Sequence, residues 1–316
     1  VIDRETIEVT SEDQWLALRA HDITSTEISV LFGLSPYLGK LELWHRKKNN
    51  EVVKLPPNER MKWGSRLESA IALGAAEENG WKAEPRKSYT RIPSLRIGSS
   101  FDFQVQCPNR GVGLLEVKNV DGGTFAKHWV EHATGDIEAP EHIELQLQHQ
   151  LEVADLNWGA IVALVGGNTL KTLIRKREPD VAQRIRSEVA AFWASIDADQ
   201  PPKADFAKDA EFIIKSLRAT SHDNLVLAAP PSLETKLEQY MSLQQHATII
   251  EGQIDALKAE ILMEIGPASK VVSKYGTLSC GNTKPNPGKL ITADMVGLHY
   301  GGRAGFRQFR FTPKAR

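Results

Sequence analysis

The sequence predicts an α/β chain: helices before and after a mixed sheet, then a long helix and a small β-rich basic appendage. Three observations carry this. Helical periods and caps dominate residues 11–80 and 140–200. A β-rich stretch with turn residues lies between them, over about 88–119. Near 232 the pattern changes to an unbroken 4–3 spacing of apolar residues. The expected division is a domain over 1–205, a linker over 206–231 and an appendage over 232–316.

Taken in order, SEDQWLALRA (11–20) reads as a helix capped by Ser11. DITSTEISVLFGLSPY follows with a Ser/Thr cap at 24–26, the apolar face Ile28, Leu31 and Phe32, and Gly33 as the stop. LELWHRKKN is another short helix. LPPNERMKWGSRLESAIALGAAEENG enters through prolines, turns Leu67, Ile71 and Gly74 to one side, and ends at Gly80. KSYTRIPSLRIGSSFDFQVQ, the turn CPNRG and the strand VGLLEVKN read together as an antiparallel meander. PEHIELQLQHQLEVA is helical, with Pro140 in its first turn and Ile143, Leu147 and Leu151 at i, i+4, i+8. WGAIVALVGGNTLKTLIRKR is a hairpin turning at Gly166–Asn168, and EPDVAQRIRSEVAAFWASIDADQPP a helix stopped by prolines. Pro, Asp and Ala over 200–231 read as a linker. Leu233, Leu237, Tyr240, Gln244, Ala247, Ile250, Ile254, Leu257 and Ile261 then form the seam of a long amphipathic helix, and 271–316 reads as short strands and turns.

The chain has 316 residues, 41% hydrophobic and 25% charged, enough for a sizeable globular core. No apolar run approaches the roughly 20 residues of a membrane-spanning helix. VIDRETIEVT does not read as a secretory signal, and Cys107 and Cys280 make neither a disulfide framework nor a cysteine zinc cluster. The expected compartment is the cytoplasm. The net charge of −1 hides an asymmetry. From Pro267 on, nine Lys and Arg face one acidic residue, Asp294, so a +8 tail follows a −9 body. Tyr275, Tyr300, Phe306, Phe309 and Phe311 interleave with that basic charge, a composition that suits a nucleic-acid strand as well as a small basic subdomain.

The stretch GLLEVKN poses the chemical question. Glu116 and Lys118 lie two apart in an apolar strand and so point to one face. Asp102 stands fourteen residues earlier, across one turn, where hairpin geometry opposes it to Glu116. Facing carboxylates repel unless a cation lies between them, and hard divalent ions prefer such ligands. From these residues alone a structural ion pair and a metal-dependent centre both stay open. His128 and His132 lack the Glu of a zinc-protease helix, His142 and His149 read as solvated or core residues, 121–139 as a DNA-facing loop, and GGNT as a turn.

The order of a helical Glu68, a strand Asp102, Glu116-x-Lys118 and a Gln-rich helix resembles the PD-(D/E)XK nuclease core. In detail it resembles the YqaJ-type viral recombinases, the family of the bacteriophage lambda exonuclease. The matching stretches are RAHDITSTEISVLFGLSPY, WGSRLESAI, IGSSFDF, LLEVKN and HIELQLQHQLEVA, followed by AAFW and PP, together covering roughly residues 10–205. Phe101 stands where the family name has its proline.

The resemblance implies a restriction-endonuclease-like core and a 5′→3′ exonuclease on double-stranded DNA that leaves a 3′ overhang for recombination. It implies Asp102, Glu116, the Val117 carbonyl and Glu68 as holders of two Mg²⁺ ions, with Mn²⁺ able to substitute. Lys118 would position the nucleophilic water, and Gln146 would lie nearby, with Gln148 and Gln150 as rivals. Arg19, Thr26 and Ser100 fall where the family binds the 5′-terminal phosphate, and Thr26 reads equally as a helix cap. A ring-shaped homotrimer and a phage or prophage single-strand annealing protein are the expected partners. An endonuclease or nickase on the same core, or an inactive DNA-binding homologue, are the alternative readings.

Overall fold

A computed structural model of the chain describes residues 2–217 and 226–281, except Leu55, Pro57 and Tyr275. The chain divides into two compact units, Val1–Ser216 and Leu217–Arg316.

The first unit begins with β1 (Glu5–Glu8) and α1 (Glu12–His21). Ser11 caps α1 as expected, its side chain accepting from the Gln14 N–H. β2 (Ile23–Thr24), α2 (Ile28–Leu31) and α3 (Lys40–Lys48) follow. α2 is a single turn, entered through a Thr24–Glu27 pairing in which the Glu27 carboxylate accepts from the Thr24 N–H and hydroxyl. α4 (Glu59–Asn79) starts at the Asn58 cap and ends at Gly80, whose left-handed φ of 66° lets its N–H reach back to Ala76 and Glu77.

Next come β3 (Lys82–Pro85), β4 (Ser88–Ile92), β5 (Ile97–Ser100), β6 (Phe103–Cys107) and β7 (Gly111–Val120). The expected meander is broken at Phe101–Asp102. β4 and β5 belong to a four-stranded sheet ordered β1-β4-β5-β2, whereas β6 and β7 join a five-stranded sheet. The break has a packing cause. Phe101 is buried in one apolar cluster with Ile92, Ile97 and Leu114, and Phe103 in another with Val105, Leu115 and Ile71.

After β7, the segment 121–139 is more than the expected loop. It holds α5 (Gly122–His128), capped by Asp121, and a hairpin of β8 (Val130–Glu131) and β9 (Ile137–Glu138). α6 (Glu141–Ala154), β10 (Trp158–Val165), β11 (Thr169–Lys176) and α7 (Pro179–Asp197) match the expected helix, hairpin and helix. The second sheet runs β11-β10-β7-β6-β3. β7 pairs antiparallel with β6 and parallel with β10, so the sheet is mixed. α4 covers one of its faces through Ile71, Ala72, Ala75 and Ala76, and α6 covers the other through Leu147 and Leu151. The expected core, a mixed sheet between helices, is therefore present. Within the compositional linker lies α8 (Ala210–Leu217), whose Phe212 ring stands 5.3 Å from His45.

The second unit holds α9 (Pro231–Ile265), the expected long helix, and a hairpin of β12 (Lys270–Ser273) and β13 (Gly276–Ser279). The tail aromatics Tyr275, Tyr300, Phe306, Phe309 and Phe311 lie outside the described residues. Among the described residues, no helix is long and apolar enough to cross a membrane.

Candidate active site

β7 is interior to its sheet, and strand alternation assigns its side chains to opposite faces. Leu115 faces α4, while Leu114, Glu116 and Lys118 face α6. Glu116 is only 2% exposed, and both of its oxygens are held. Oε1 accepts from Gln146 Nε2 at 2.7 Å and from Lys118 Nζ, and Oε2 accepts from Gln150 Nε2 at 2.6 Å. Lys118 also donates to Gln146 Oε1 at 3.3 Å. Gln146 and Gln150 reach the same carboxylate because they lie one turn apart on α6. Gln148, two residues from each, points away; it donates to the Lys176 carbonyl and accepts from the Glu178 N–H.

Asp102 immediately precedes β6. The β6–β7 register pairs Phe103 with Leu115, and one step further opposes Asp102 to Glu116. Its Oδ2 accepts from the Val117 N–H at 2.8 Å. Val117, expected to contribute its carbonyl, thus touches the cluster through its amide. Burial and the Glu116 charge raise the Asp102 pKa well above the usual carboxylate range, against the opposing Val117 bond. Glu68, half-buried on α4, has its pKa raised by burial and by Glu116, with Lys118 opposing. Burial disfavours the Lys118 cation, but Glu116 and Asp102 outweigh it and raise its pKa.

The cluster thus brings Asp102, Glu116 and Lys118 together with Glu68 in electrostatic reach, and the raised acid pKa values of Asp102 and Glu68 express burial first and repulsion by Glu116 second. Oxygen donors with excess negative charge fit a hard divalent cation such as Mg²⁺. Among the described residues, no three His, Cys, Asp or Glu side chains form a ready ligand set. Asp102 and Glu116 are the facing pair, and Glu68 stands within their electrostatic reach.

A second cluster surrounds Arg19. Its Nη2 donates to Thr26 Oγ1 at 3.0 Å, and Thr24 and Thr26 hydroxyls lie 3.3 Å apart. Ser100 joins through Trp15, whose indole N–H donates to Ser100 Oγ at 2.7 Å while the Arg19 guanidinium lies 4.5 Å from its ring centre. Trp15 was missed in the sequence, although its i, i+4 relation to Arg19 was the available signal. Ser100 ends β5 two residues before Asp102, so the crossing between the sheets joins the two clusters.

The remaining histidines separate clearly. His149 is fully buried, and His142 is half-buried with its ring edge-on to Tyr37. His132 Nε2 lies 3.0 Å from Glu138 within the β8–β9 hairpin. A cleft of about 1000 Å³ lined by Phe32, Leu34, Ile137, Arg175 and Arg184 opens on the Glu144–Gln148 face of α6, and its lining includes no member of either cluster.

Comparison with known proteins places a YqaJ-like viral recombinase domain over residues 14–157. No curated protein matches the chain. Among solved structures, the chain is similar to an alkaline exonuclease, LHK-Exo from Laribacter hongkongensis, at 17% identity and a TM-score of 0.47, covering 64% of this chain and 98% of that one. The same exonuclease in complex with dAMP gives 17% identity, 65% and 97% coverage, and a TM-score of 0.47. A phage-related exonuclease from Haemophilus somnus 129PT gives 11% identity, 56% and 94% coverage, and a TM-score of 0.38.

Proposed function

We propose that the chain, whose residues 14–157 match the model of the YqaJ-like viral recombinase domain, is a metal-dependent nuclease of recombination, acting 5′→3′ on double-stranded DNA ends. The observation that carries this reading is the arrangement around Glu116: a buried carboxylate held by Lys118, Gln146 and Gln150, with Asp102 opposite it in register.

In this reading Asp102 and Glu116, with Glu68 and the Val117 carbonyl, would hold two Mg²⁺ ions. When bound, Mg²⁺ supplies Lewis-acid polarisation of the scissile phosphate. Gln146 and Gln150 fix the Glu116 rotamer by occupying both of its oxygens. Lys118, its side chain 25% exposed, orients the attacking water and stabilises the charge that develops on the phosphate. Arg19, Thr26 and Ser100 receive the 5′-terminal phosphate: Arg19 offers planar charge-assisted donors and Thr26 an exposed hydroxyl. The products are nucleotides and a 3′ single-stranded overhang. A homotrimeric ring, an annealing-protein partner and DNA contact by the basic tail belong to the same proposal and rest on the family resemblance and on charge.

The test is digestion of linear duplex with each end chemistry, with and without Mg²⁺, reading which strand disappears. The proposal expects Mg²⁺-dependent loss of the 5′-phosphorylated strand. Nicking of closed circular duplex at a comparable rate would favour the endonuclease reading, and DNA binding without any cleavage the inactive homologue.

A further inference from the structure

Behind the Arg19 cluster lies a buried cation that takes no part in the chemistry above. Lys47, on α3, is 4% exposed. An ammonium has three N–H donors, and three oxygens stand around Lys47 Nζ: the Arg19 carbonyl at 2.7 Å, the Asp22 carbonyl at 2.7 Å and Glu27 Oε2 at 2.8 Å. These acceptors span one segment of chain. Arg19 is in the last turn of α1, where backbone carbonyls lack helical partners. Asp22 follows the helix, and Glu27 closes the turn that carries Thr26. Glu27 Oε2 also accepts from the Thr24 N–H at 3.0 Å and hydroxyl at 2.8 Å, and the Thr24 hydroxyl meets Thr26.

The segment is held from its other side as well. The Asp22 carboxylate is fully buried and receives a two-pronged Arg91 guanidinium at 2.9 and 2.8 Å, together with the Tyr89 hydroxyl at 3.2 Å. Arg91 therefore fixes Asp22 by its side chain, while Lys47 binds two carbonyls in the first half of the Arg19-to-Thr26 span and the Glu27 side chain just past its end. Arg19 and Thr26 are seven residues apart and meet at 3.0 Å, and the Arg19 carbonyl and the carboxylate of Glu27, next to Thr26, share the Lys47 ammonium.

We propose that Lys47 is a positioning residue for end recognition: by tying the Arg19 and Asp22 carbonyls to Glu27, it sets the separation of Arg19 and Thr26 that a terminal phosphate requires. This rests on the terminal-phosphate reading of that cluster.

The test measures kcat and KM on linear duplexes ending in a 5′-phosphate or a 5′-hydroxyl. It compares the wild-type chain with Lys47→Met, Lys47→Arg, Arg19→Ala and the double variant Lys47→Met/Arg19→Ala, with circular dichroism of each. Lys47→Met should lower the phosphate-to-hydroxyl ratio of kcat/KM about tenfold, comparable to one charge-assisted contact, with the loss in KM for the phosphorylated end. Lys47→Arg should recover part of it. The double variant should lose no more than Arg19→Ala alone, since Lys47 acts through Arg19. Should Lys47→Met not fold, Glu27→Gln carries the same test and the same expected direction. An unchanged ratio in folded Lys47→Met or Glu27→Gln, or additive losses in the double variant, overturns the proposal while a lowered ratio in Arg19→Ala leaves the phosphate site standing. No end preference in the wild-type chain, or none lost in Arg19→Ala, overturns the phosphate site itself and this proposal with it.

Discussion

Gln150 Nε2 lies 2.6 Å from Glu116 Oε2, on the oxygen that Gln146 and Lys118 leave free. Two amides one helical turn apart thus grip the two oxygens of one buried carboxylate. A carboxylate held in this way cannot rotate toward Lys118 alone, so its orientation is set before any ligand arrives. Replacing either Gln146 or Gln150 with Leu should lower kcat by about 10- to 100-fold, the usual size of a lost supporting contact at a metal site. Gln148→Ala should leave kcat near wild type and cost about 1 kcal/mol of stability in urea unfolding, from its bonds to Lys176 and Glu178. Equal effects of all three on kcat would mean that the grip on Glu116 has no role.

Asp102→Asn should raise the melting temperature while removing activity. The native Asp102 pKa stands well above the usual range because of burial and Glu116, so its ionised form opposes folding near neutral pH. Asn keeps the shape and removes that charge. A lowered melting temperature by differential scanning calorimetry would show that the Asp102 charge does not oppose folding.

These residues show how much of the site was legible in the sequence. Counting across the CPNRG turn was enough to oppose Asp102 to Glu116, because a hairpin register follows from its turn. Helices with a clear start or stop, at Ser11 and Gly80, fell where propensity places them. The choice among Gln146, Gln148 and Gln150 was half legible. Helical spacing separates Gln148 from the other two, but only the position of β7 against α6 says which face is used. The division of residues 88–107 between two sheets was not legible, because alternation is the same on either side of Phe101 and the split depends on which cluster each Phe enters. Trp15 was half legible: its i, i+4 relation to Arg19 lies in the sequence, but its partner Ser100 is 85 residues away. The 130–138 hairpin has strands of only two residues, too short for a periodic signal.

His149 gives a pH signature. Burial pushes its pKa down from 6.5 to about 4, so the fold holds the neutral ring. Its contribution is full above pH 6.5 and is lost as pH falls toward 4, at about 1.4 kcal/mol per pH unit and roughly 3 kcal/mol in all. Urea unfolding at a series of pH values should show this slope in the wild-type chain and lose it in His149→Leu. The same slope in both would assign the acid sensitivity to other groups.

The basic tail should act through phosphate contacts. Deleting 267–316 removes its +8 charge, and should weaken duplex binding and flatten the dependence of log Kd on log salt by about 0.9 per lost contact. An unchanged slope in fluorescence anisotropy would make the tail structural.

The central claim is that Asp102, Glu116 and Lys118 form one hydrolytic centre. It is tested most directly by nucleotide release from a 5′-phosphorylated linear duplex in Mg²⁺, comparing the wild-type chain with Glu116→Gln and Lys118→Ala. The account predicts that each substitution lowers the rate by about two to three orders of magnitude, the scale of lost charge stabilisation at a hydrolytic site, with an unchanged circular dichroism spectrum. Release at the wild-type rate by either folded variant would contradict it.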